Sequence, residues 1–462
     1  MMDIIESKHW IEWIITIAKF AFAFVPILFI LLLIPMERRG AGFIQDRQGP
    51  NRSYIKIPYF GRIRLFGWVQ NACDGTKLFF KEMFAPAGVN KWIYMLAPAI
   101  PFAIVLISPC VIPWFAPMVF EFGGQVIKIP GMTVDTEVGI LLLFGLSSLS
   151  AYGAVLAGWA SKSKFSLLGG LRTSAMTISY EVCLGLCLMG MLLLAGTFRI
   201  DEIIAWQDAN VWGIVAQPVA FFCFLIAMIA ETGRAPFDVA EGEPELVAGF
   251  HTEYGAMQFG LFYMGEYSHI GINSILVACL FLGGYSIPFV SMETVQSNLG
   301  ISLGVLCGVC AVAVLAFLHL LYRYARWYKT CSASNKEVIL REYSLYKILG
   351  WCAVVVFAVL GVLSAMFIHP EVQIINGEAV YGFGVALGTA LIQLLVLLVK
   401  AVFFCWVWIW VRWTLPRFRY DHVMHLGWKI LLNIAILNLV VTAIAATLLG
   451  GNYWCVKLNK NR

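Results

Sequence analysis

Six carboxylates fall within the 23 residues from Glu231 to Glu253: Glu231, Asp238, Glu241, Glu243, Glu245 and Glu253, with Arg234 as the one strong base among them. Phe237, Val239, Leu246, Val247 and Phe250 are interleaved with these acids, so the segment reads as partly buried. Carboxyls crowded where water is scarce cannot all ionise, and their protons become shared by the group. Such a cluster can take up and release protons when a charge appears beside it. Two further acids stand in apolar sequence: Glu181 in Ile178-Ser179-Tyr180-Glu181-Val182, at the opening of an expected span, and Glu266 in Phe262-Tyr263-Met264-Gly265-Glu266-Tyr267. A carboxylate in a membrane helix is costly and usually faces a polar cavity or a proton path. The plainer alternative is a neutral carboxyl hydrogen-bonded to another helix. Lys400 is either a partner for such acids or a snorkelling side chain.

Metal or redox chemistry is not indicated. The 12 cysteines are scattered through apolar runs, where a thiol is usually a small hydrophobe. Cys183 with Cys187 and Cys307 with Cys310 are the close pairs, and neither supplies the ligand count of a thiolate metal or iron–sulfur site. We expect no metal and no redox centre in this chain.

The elements that must position the acids are membrane helices. The chain has 462 residues, 60% hydrophobic and 13% charged, with a mean hydropathy of +0.81. A soluble chain carries about a quarter charged residues, so the expected fold class is an all-α polytopic membrane protein. A soluble enzyme on a membrane anchor is excluded, because no long stretch has soluble composition. The net charge of +5 gives no ground for nucleic-acid binding. About ten transmembrane helices are expected, over 11–35, 92–115, 138–158, 178–196, 211–230, 256–284, 299–322, 347–368, 383–410 and 427–449. The prolines of the second (Pro98, Pro101, Pro109, Pro113) should kink it.

Ten spans put both termini on one side. The loops 36–91, 159–177, 231–255, 323–347 and 411–429 hold 24 of the 32 Lys and Arg, against six in the termini and remaining loops. Positive charge stays on the cytoplasmic side, so both termini should face outward. In the first inner loop, Leu65, Phe66, Val69, Leu78, Phe79 and Met83 alternate with Asp74, Lys77, Lys81 and Glu82, which suits an amphipathic helix on the membrane surface.

At the acidic loop the sequence resembles a known family. Ala230-Glu231-Thr232-Gly233-Arg234-Ala235-Pro236-Phe237-Asp238, continuing through Glu241-Gly242-Glu243-Pro244-Glu245-Leu246 to His251-Thr252-Glu253-Tyr254, is similar to the signature of the NADH-quinone oxidoreductase H subunits, the NADH dehydrogenase subunit 1 family of respiratory complex I. Gln48-Gly49-Pro50-Asn51-Arg52, Leu156-Ala157-Gly158-Trp159-Ala160-Ser161, Ser179-Tyr180-Glu181-Val182 and Thr414-Leu415-Pro416-Arg417-Phe418-Arg419-Tyr420-Asp421 match in the family's order. Together they cover most of 37–284 and 383–449.

The resemblance implies a membrane subunit at the joint between the hydrophilic and proton-pumping arms. Such a subunit carries no flavin, iron–sulfur cluster or metal, and quinone is the substrate of the whole complex. Its implied partners are the iron–sulfur and quinone-site hydrophilic subunits, the antiporter-like membrane subunits and the lipid bilayer. The family's acidic path would map to Glu181, Glu231, Asp238, Glu241, Glu243, Glu245, Glu253 and Glu266. Arg38, Arg47, Asp74, Arg234 and Phe237 match positions at the quinone chamber. Arg38 and Arg47 also sit where the first helix should leave the membrane.

Several stretches depart from the family pattern. Gly233 and Pro244 stand where Asn and Ser are usual, and Ser53–Phe60 extends the first loop. A stretch of about 90 residues around 290–382 reads as an insertion with two spans, an even number, as the orientation of everything after it requires. The chain therefore divides into a core at 1–289, an inserted helix pair at 290–382 and C-terminal core helices at 383–462. The expected location is a bacterial inner membrane, given the family and no visible transit peptide. A related reading is the equivalent component of a membrane-bound hydrogenase or formate hydrogenlyase. One of another class is a stand-alone secondary transporter, which would show two similar halves; no internal repeat is evident.

Overall fold

The computed structural model describes residues 13, 16–17, 19–47, 49–50, 52–57, 61–122, 125–239, 247–288, 290, 292–330, 336–368, 372–375 and 378–448. Twelve principal helices follow one another: α1 (Val25–Ile44), continuing a 3-10 turn at Phe20–Phe24, then α2 (Trp68–Phe80), α3 (Lys91–Ile107), α4 (Gly139–Ala160), α5 (Lys164–Ala195), α6 (Ile200–Ala209), α7 (Pro218–Glu231), α8 (Ala256–Phe281), α9 (Leu299–Thr330), α10 (Lys336–Phe367), α11 (Phe383–Thr414) and α12 (Leu432–Leu448). Among the described residues, eight helical segments are long and apolar enough to cross a membrane. The chain is an all-α polytopic membrane protein.

The two other expected spans are occupied by helices of different character. The 14 residues of α7 reach about 21 Å, short of a hydrocarbon core of about 30 Å; a separate turn, Gly213–Ala216, precedes it across Gln217. The 26 residues of α8 are long enough but include Gln258, Glu266, His269 and Asn273. It is also the most enclosed helix, every residue from Ile270 to Phe281 being buried. It packs against α1, α3 and α11, while α5 packs against α4, α7 and α12. Small residues let α4 and α5 approach closely: a Cβ on Gly158 would lie 2.5 Å from the Ser166 carbonyl oxygen, and one on Gly170 would lie 2.7 Å from that of Ala154.

Three expected boundaries are corrected. The first span lies at Phe20–Ile44, not 11–35, so Arg38 is inside α1 instead of following it. The continuous apolar stretch misled the placement, because Glu37, Arg38 and Arg39 remain helical. The fourth span begins at Lys164, not 178, so Glu181 lies mid-helix instead of opening it. In the second expected span, 92–115, α3 ends at Ile107, before a turn containing Pro109.

The described residues include six short strands that were not expected. β1 (Ile55–Ile57) pairs antiparallel with β2 (Gly61–Ile63). A four-stranded sheet has the order β4 (Gln125–Ile129), β3 (Met118–Phe122), β6 (Glu378–Gly382), β5 (Val372–Ile375). Its β3–β6 pair is parallel, aligning Phe120 with Tyr381, and ties the stretch before α11 to the loop after α3. Helices α9 and α10 form an extended hairpin packed mainly on itself. Lys400, which the sequence left between two roles, is a structural donor: its Nζ reaches the carbonyls of Leu282, Gly284 and Ser286 at 2.7, 2.8 and 2.7 Å, just past the C-terminal end of α8.

Candidate functional site

Glu37, Glu266, Glu231 and Glu181 lie along one line of polar groups. At one end, Glu37 of α1 is paired by Arg412 of α11 at 2.5 Å and accepts from the Tyr267 hydroxyl of α8 at 2.6 Å. The hydroxyls of Tyr263 and Tyr267, one helical turn apart, are 3.2 Å from each other. Arg234, in the loop after α7, places its guanidinium 4.5 and 4.6 Å from the centroids of these two rings and pairs with Glu266 at 2.5 Å. The other Glu266 oxygen lies 3.8 Å from His251 Nε2. A buried guanidinium is stabilised by both the aromatic faces and the carboxylate.

A cavity of ≈ 90 Å³ for water continues the line, bordered by Glu266, Gly265, Thr173, Thr177, His269 and Glu231. This exceeds what one water needs, and Glu266, Thr173, Thr177, His269 and Glu231 bring polar atoms to a lining that is otherwise mainly apolar, with Ile104, Val105, Phe250 and Phe262. A second, smaller space of ≈ 20 Å³ adjoins it, again bordered by His269 and Glu231, with Ser147 and Asn273. Glu231 closes α7. It accepts from Asn273 Nδ2 at 3.2 Å and from the Ser147 hydroxyl, and His269 Nε2 lies 4.0 Å away. Ser148, the next residue of α4, donates to Glu181 of α5. Consecutive residues on a helix point about 100° apart, so Ser147 and Ser148 address α7 and α5 respectively. Adjacent residues of α4 thus each donate to one of the two carboxyls.

A separate part of the loop is anchored by Phe237, which is buried between Tyr180 and Phe418 at 5.8 and 5.5 Å. Asp238 pairs with Arg417, and Phe418 N donates to the Pro236 carbonyl at 2.9 Å. Tyr180 OH donates to the Val423 carbonyl at 2.8 Å, beside the wide π-helical turn Leu426–Leu431. The end of α7, the middle of α5 and the segment before α12 are held together in this way. Phe237, Val239 and Phe250 are buried as the interleaving implied, but Val247 is 58% exposed with a positive φ, a correction caused by the backbone turn there.

Arg38 pairs with Asp74 of α2 at 2.5 Å on the accessible side of α1. Arg47 is exposed, its Nε donating to Gln45 at 2.6 Å. Val69 of α2 is buried and Leu78 lies against Gly260 of α8, while Phe79 and Phe80 are exposed, in keeping with a surface helix. Glu253 is partly buried and lines neither cavity; its carbonyl accepts from Tyr94 OH at 2.6 Å. The adjoining Tyr254 stacks on Tyr94 at 4.2 Å, and burial pushes its phenol pKa up. Glu241, Glu243 and Glu245 lie outside the described residues.

Sequence reading missed Glu37, Arg412, Tyr267, His251, His269, Asn273, Ser147, Ser148 and Arg417. Glu37 and Arg412 looked like ordinary flanking charges. The available signal was polar residues recurring within α8, at Glu266, His269 and Asn273, spaced by three and four positions on one helical face. Among the described residues no group of three or more His, Cys, Asp or Glu could hold a metal.

The family model described as NADH dehydrogenase matches residues 17–330 and 338–443, which include both helices of the α9–α10 pair. The NADH-quinone oxidoreductase H subunit of Bdellovibrio bacteriovorus is 36% identical over 436 residues, covering 89% of this chain and 90% of the relative. An NADH-quinone oxidoreductase H subunit of Geobacter sulfurreducens is 35% identical over 426 residues, covering 92% and 94%. NADH-quinone oxidoreductase subunit 8 of Rhodothermus marinus is 33% identical over 422 residues, covering 90% and 92%.

Proposed function

The chain belongs to the NADH dehydrogenase family, alongside NADH-quinone oxidoreductase H subunits, and on that premise we propose that it walls the quinone chamber of such a complex and couples quinone reduction to proton translocation. It is a multi-pass membrane subunit of an enzyme complex. Electrons arrive from an iron–sulfur centre in a partner subunit and reduce quinone beyond the Arg38–Asp74 pair. The reduced quinone's charge, or its demand for protons, changes the protonation of the chain of acids. Glu266, Glu231 and Glu181 then pass that change towards antiporter-like partners through the water-sized spaces and the Ser147–Ser148 pair. Arg38, Arg47, Asp74, Arg234 and Phe237 belong to the chamber in this reading. Asp238, Glu241, Glu243, Glu245 and Glu253 belong with the acidic loop. Quinone is the substrate of the complex and not a resident cofactor of the chain. The family supports a bacterial inner membrane, and the distribution of Lys and Arg supports both termini on the periplasmic side.

The observation that carries this reading is the placement of Glu231: buried, bordering both cavities, and held by Ser147 next to Ser148, which holds Glu181. The energies are of adequate size. Moving one charge against 100 mV needs about 2.3 kcal/mol, and a hundredfold change in a carboxyl's proton affinity supplies about 2.7 kcal/mol. Glu231→Gln retains shape and removes the titratable proton. In the assembled complex it should lower NADH:quinone turnover and pumping by about tenfold or more, with NADH oxidation by ferricyanide unchanged. Normal quinone turnover and pumping in that variant would refute the proposal.

A further inference from the structure

The α9–α10 hairpin has no part in the acid path, yet one end of it meets the loop that leads to Arg38 and Asp74. The contact is made with a strained turn. Leu65, Phe66 and Gly67 take φ values of +48, +54 and +93° in succession. Bulky side chains hold such a conformation only where their surroundings over-determine it. Here those surroundings come from the hairpin. The Phe66 ring stacks on Tyr346 of α10 at 4.3 Å and meets Phe317 of α9 edge-on at 5.6 Å. Glu342 of α10 is buried, accepting the Arg64 backbone N–H at 2.9 Å and the Tyr346 hydroxyl at 2.5 Å. The guanidinium of Arg39 lies 5.0 Å from the Phe66 centroid, and Tyr324 of α9 packs edge-on against Phe43 of α1 at 5.8 Å.

The turn matters because α2 begins at its end. Trp68 opens α2 directly after Gly67, and two turns later Asp74 takes Arg38 at 2.5 Å and accepts from Gln70 at 2.9 Å. The β1–β2 hairpin, in the stretch that reads as an extension of the first loop, packs on α10 through β2.

We propose that Tyr346 and Glu342 are positioning residues: by gripping the Leu65–Gly67 turn, the α9–α10 hairpin sets where α2 presents Asp74 to Arg38, and so shapes the entrance through which quinone passes. This rests on the reading of Arg38 and Asp74 as chamber residues. A clamp on an entrance affects capture of quinone more than its reduction.

The test uses the complete complex in native membranes, with a short-chain benzoquinone as probe and ferricyanide reduction as the measure of assembly. Tyr346→Ala should raise the benzoquinone KM about three- to tenfold with kcat within about twofold, and Tyr346→Phe, which retains the stack, should restore the parental KM. If the Ala variant fails to assemble, Tyr346→Leu, which preserves apolar bulk without the stack, is read in the same way. An unchanged KM in an assembled Ala or Leu variant overturns the clamp. Arg38→Gln separates the two readings: a raised KM there with none at Tyr346 sinks the clamp alone, and no change at Arg38 sinks the chamber assignment on which it rests.

Discussion

Helices α8 and α9 are both long and largely apolar, yet they face different solvents. Helix α8 is surrounded by protein and carries Glu266, His269 and Asn273 inward. Helix α9 exposes Ile301, Val305, Val309 and Val312 in a hairpin that packs chiefly on its own partner. A polar group is tolerable within a membrane only where another group satisfies it. The acids of the site therefore sit where helices converge, and the charged residues described in the hairpin lie at the end that touches the first inner loop. Hydropathy alone ranks these helices in the wrong order of importance, since α9 passes as a membrane span and α8 does not.

The sharpest way to break this contrast is to strip charge from the converging region. Arg234→Leu leaves Glu266 without its 2.5 Å partner. Breaking a buried pair in this way costs about 3–5 kcal/mol, so the complex should lose thermal stability and assembled material on native gels. An unaltered melting profile would mean the pair is hydrated and the path is not enclosed. A smaller effect is expected at Lys400→Met. The carbonyls of Leu282, Gly284 and Ser286 would lose their donor, and an unsatisfied buried carbonyl costs about 1–3 kcal/mol. Thermal inactivation should come earlier while quinone turnover per assembled complex is unchanged, because this lysine caps α8 and lies outside the acid line. The smallest effect belongs to the hairpin: Val312→Leu, at a position 65% exposed, should change stability by less than about 0.5 kcal/mol. A large loss there would show that the face is covered by protein instead of lipid.

The acids legible in the sequence were those that break a pattern. Glu181 and Glu266 interrupt apolar runs, and the loop from Glu231 to Asp238 is acidic on a side that should be basic. The surface helix was legible from its alternation of apolar and charged positions. Glu37 and Arg412 were not, because each lies near the end of a long helix, where a charge is unremarkable until the partner across the fold is known. Ser147 and Ser148 were hidden for another reason: serine is common in membrane helices, and only the approach of α5 and α7 from two sides gives the pair a role. The first span was misplaced because a helix does not stop where its apolar stretch stops; α1 runs on through the charged Glu37, Arg38 and Arg39 to Ile44.

Composition and periodicity by themselves determined that this chain crosses a membrane many times, which loops carry its charge, and that its acids are too numerous for apolar surroundings to leave independent. These follow from local quantities, the free energy of transferring each side chain and the 1.5 Å rise of a helix. Tertiary structure alone decided which acid meets which base, that a cavity with room for water borders both Glu266 and Glu231, and that the α9–α10 pair packs on the Leu65–Gly67 turn. Those depend on distances between residues up to hundreds of positions apart, and a dielectric environment is a property of everything packed around a group, not of its neighbours in the chain.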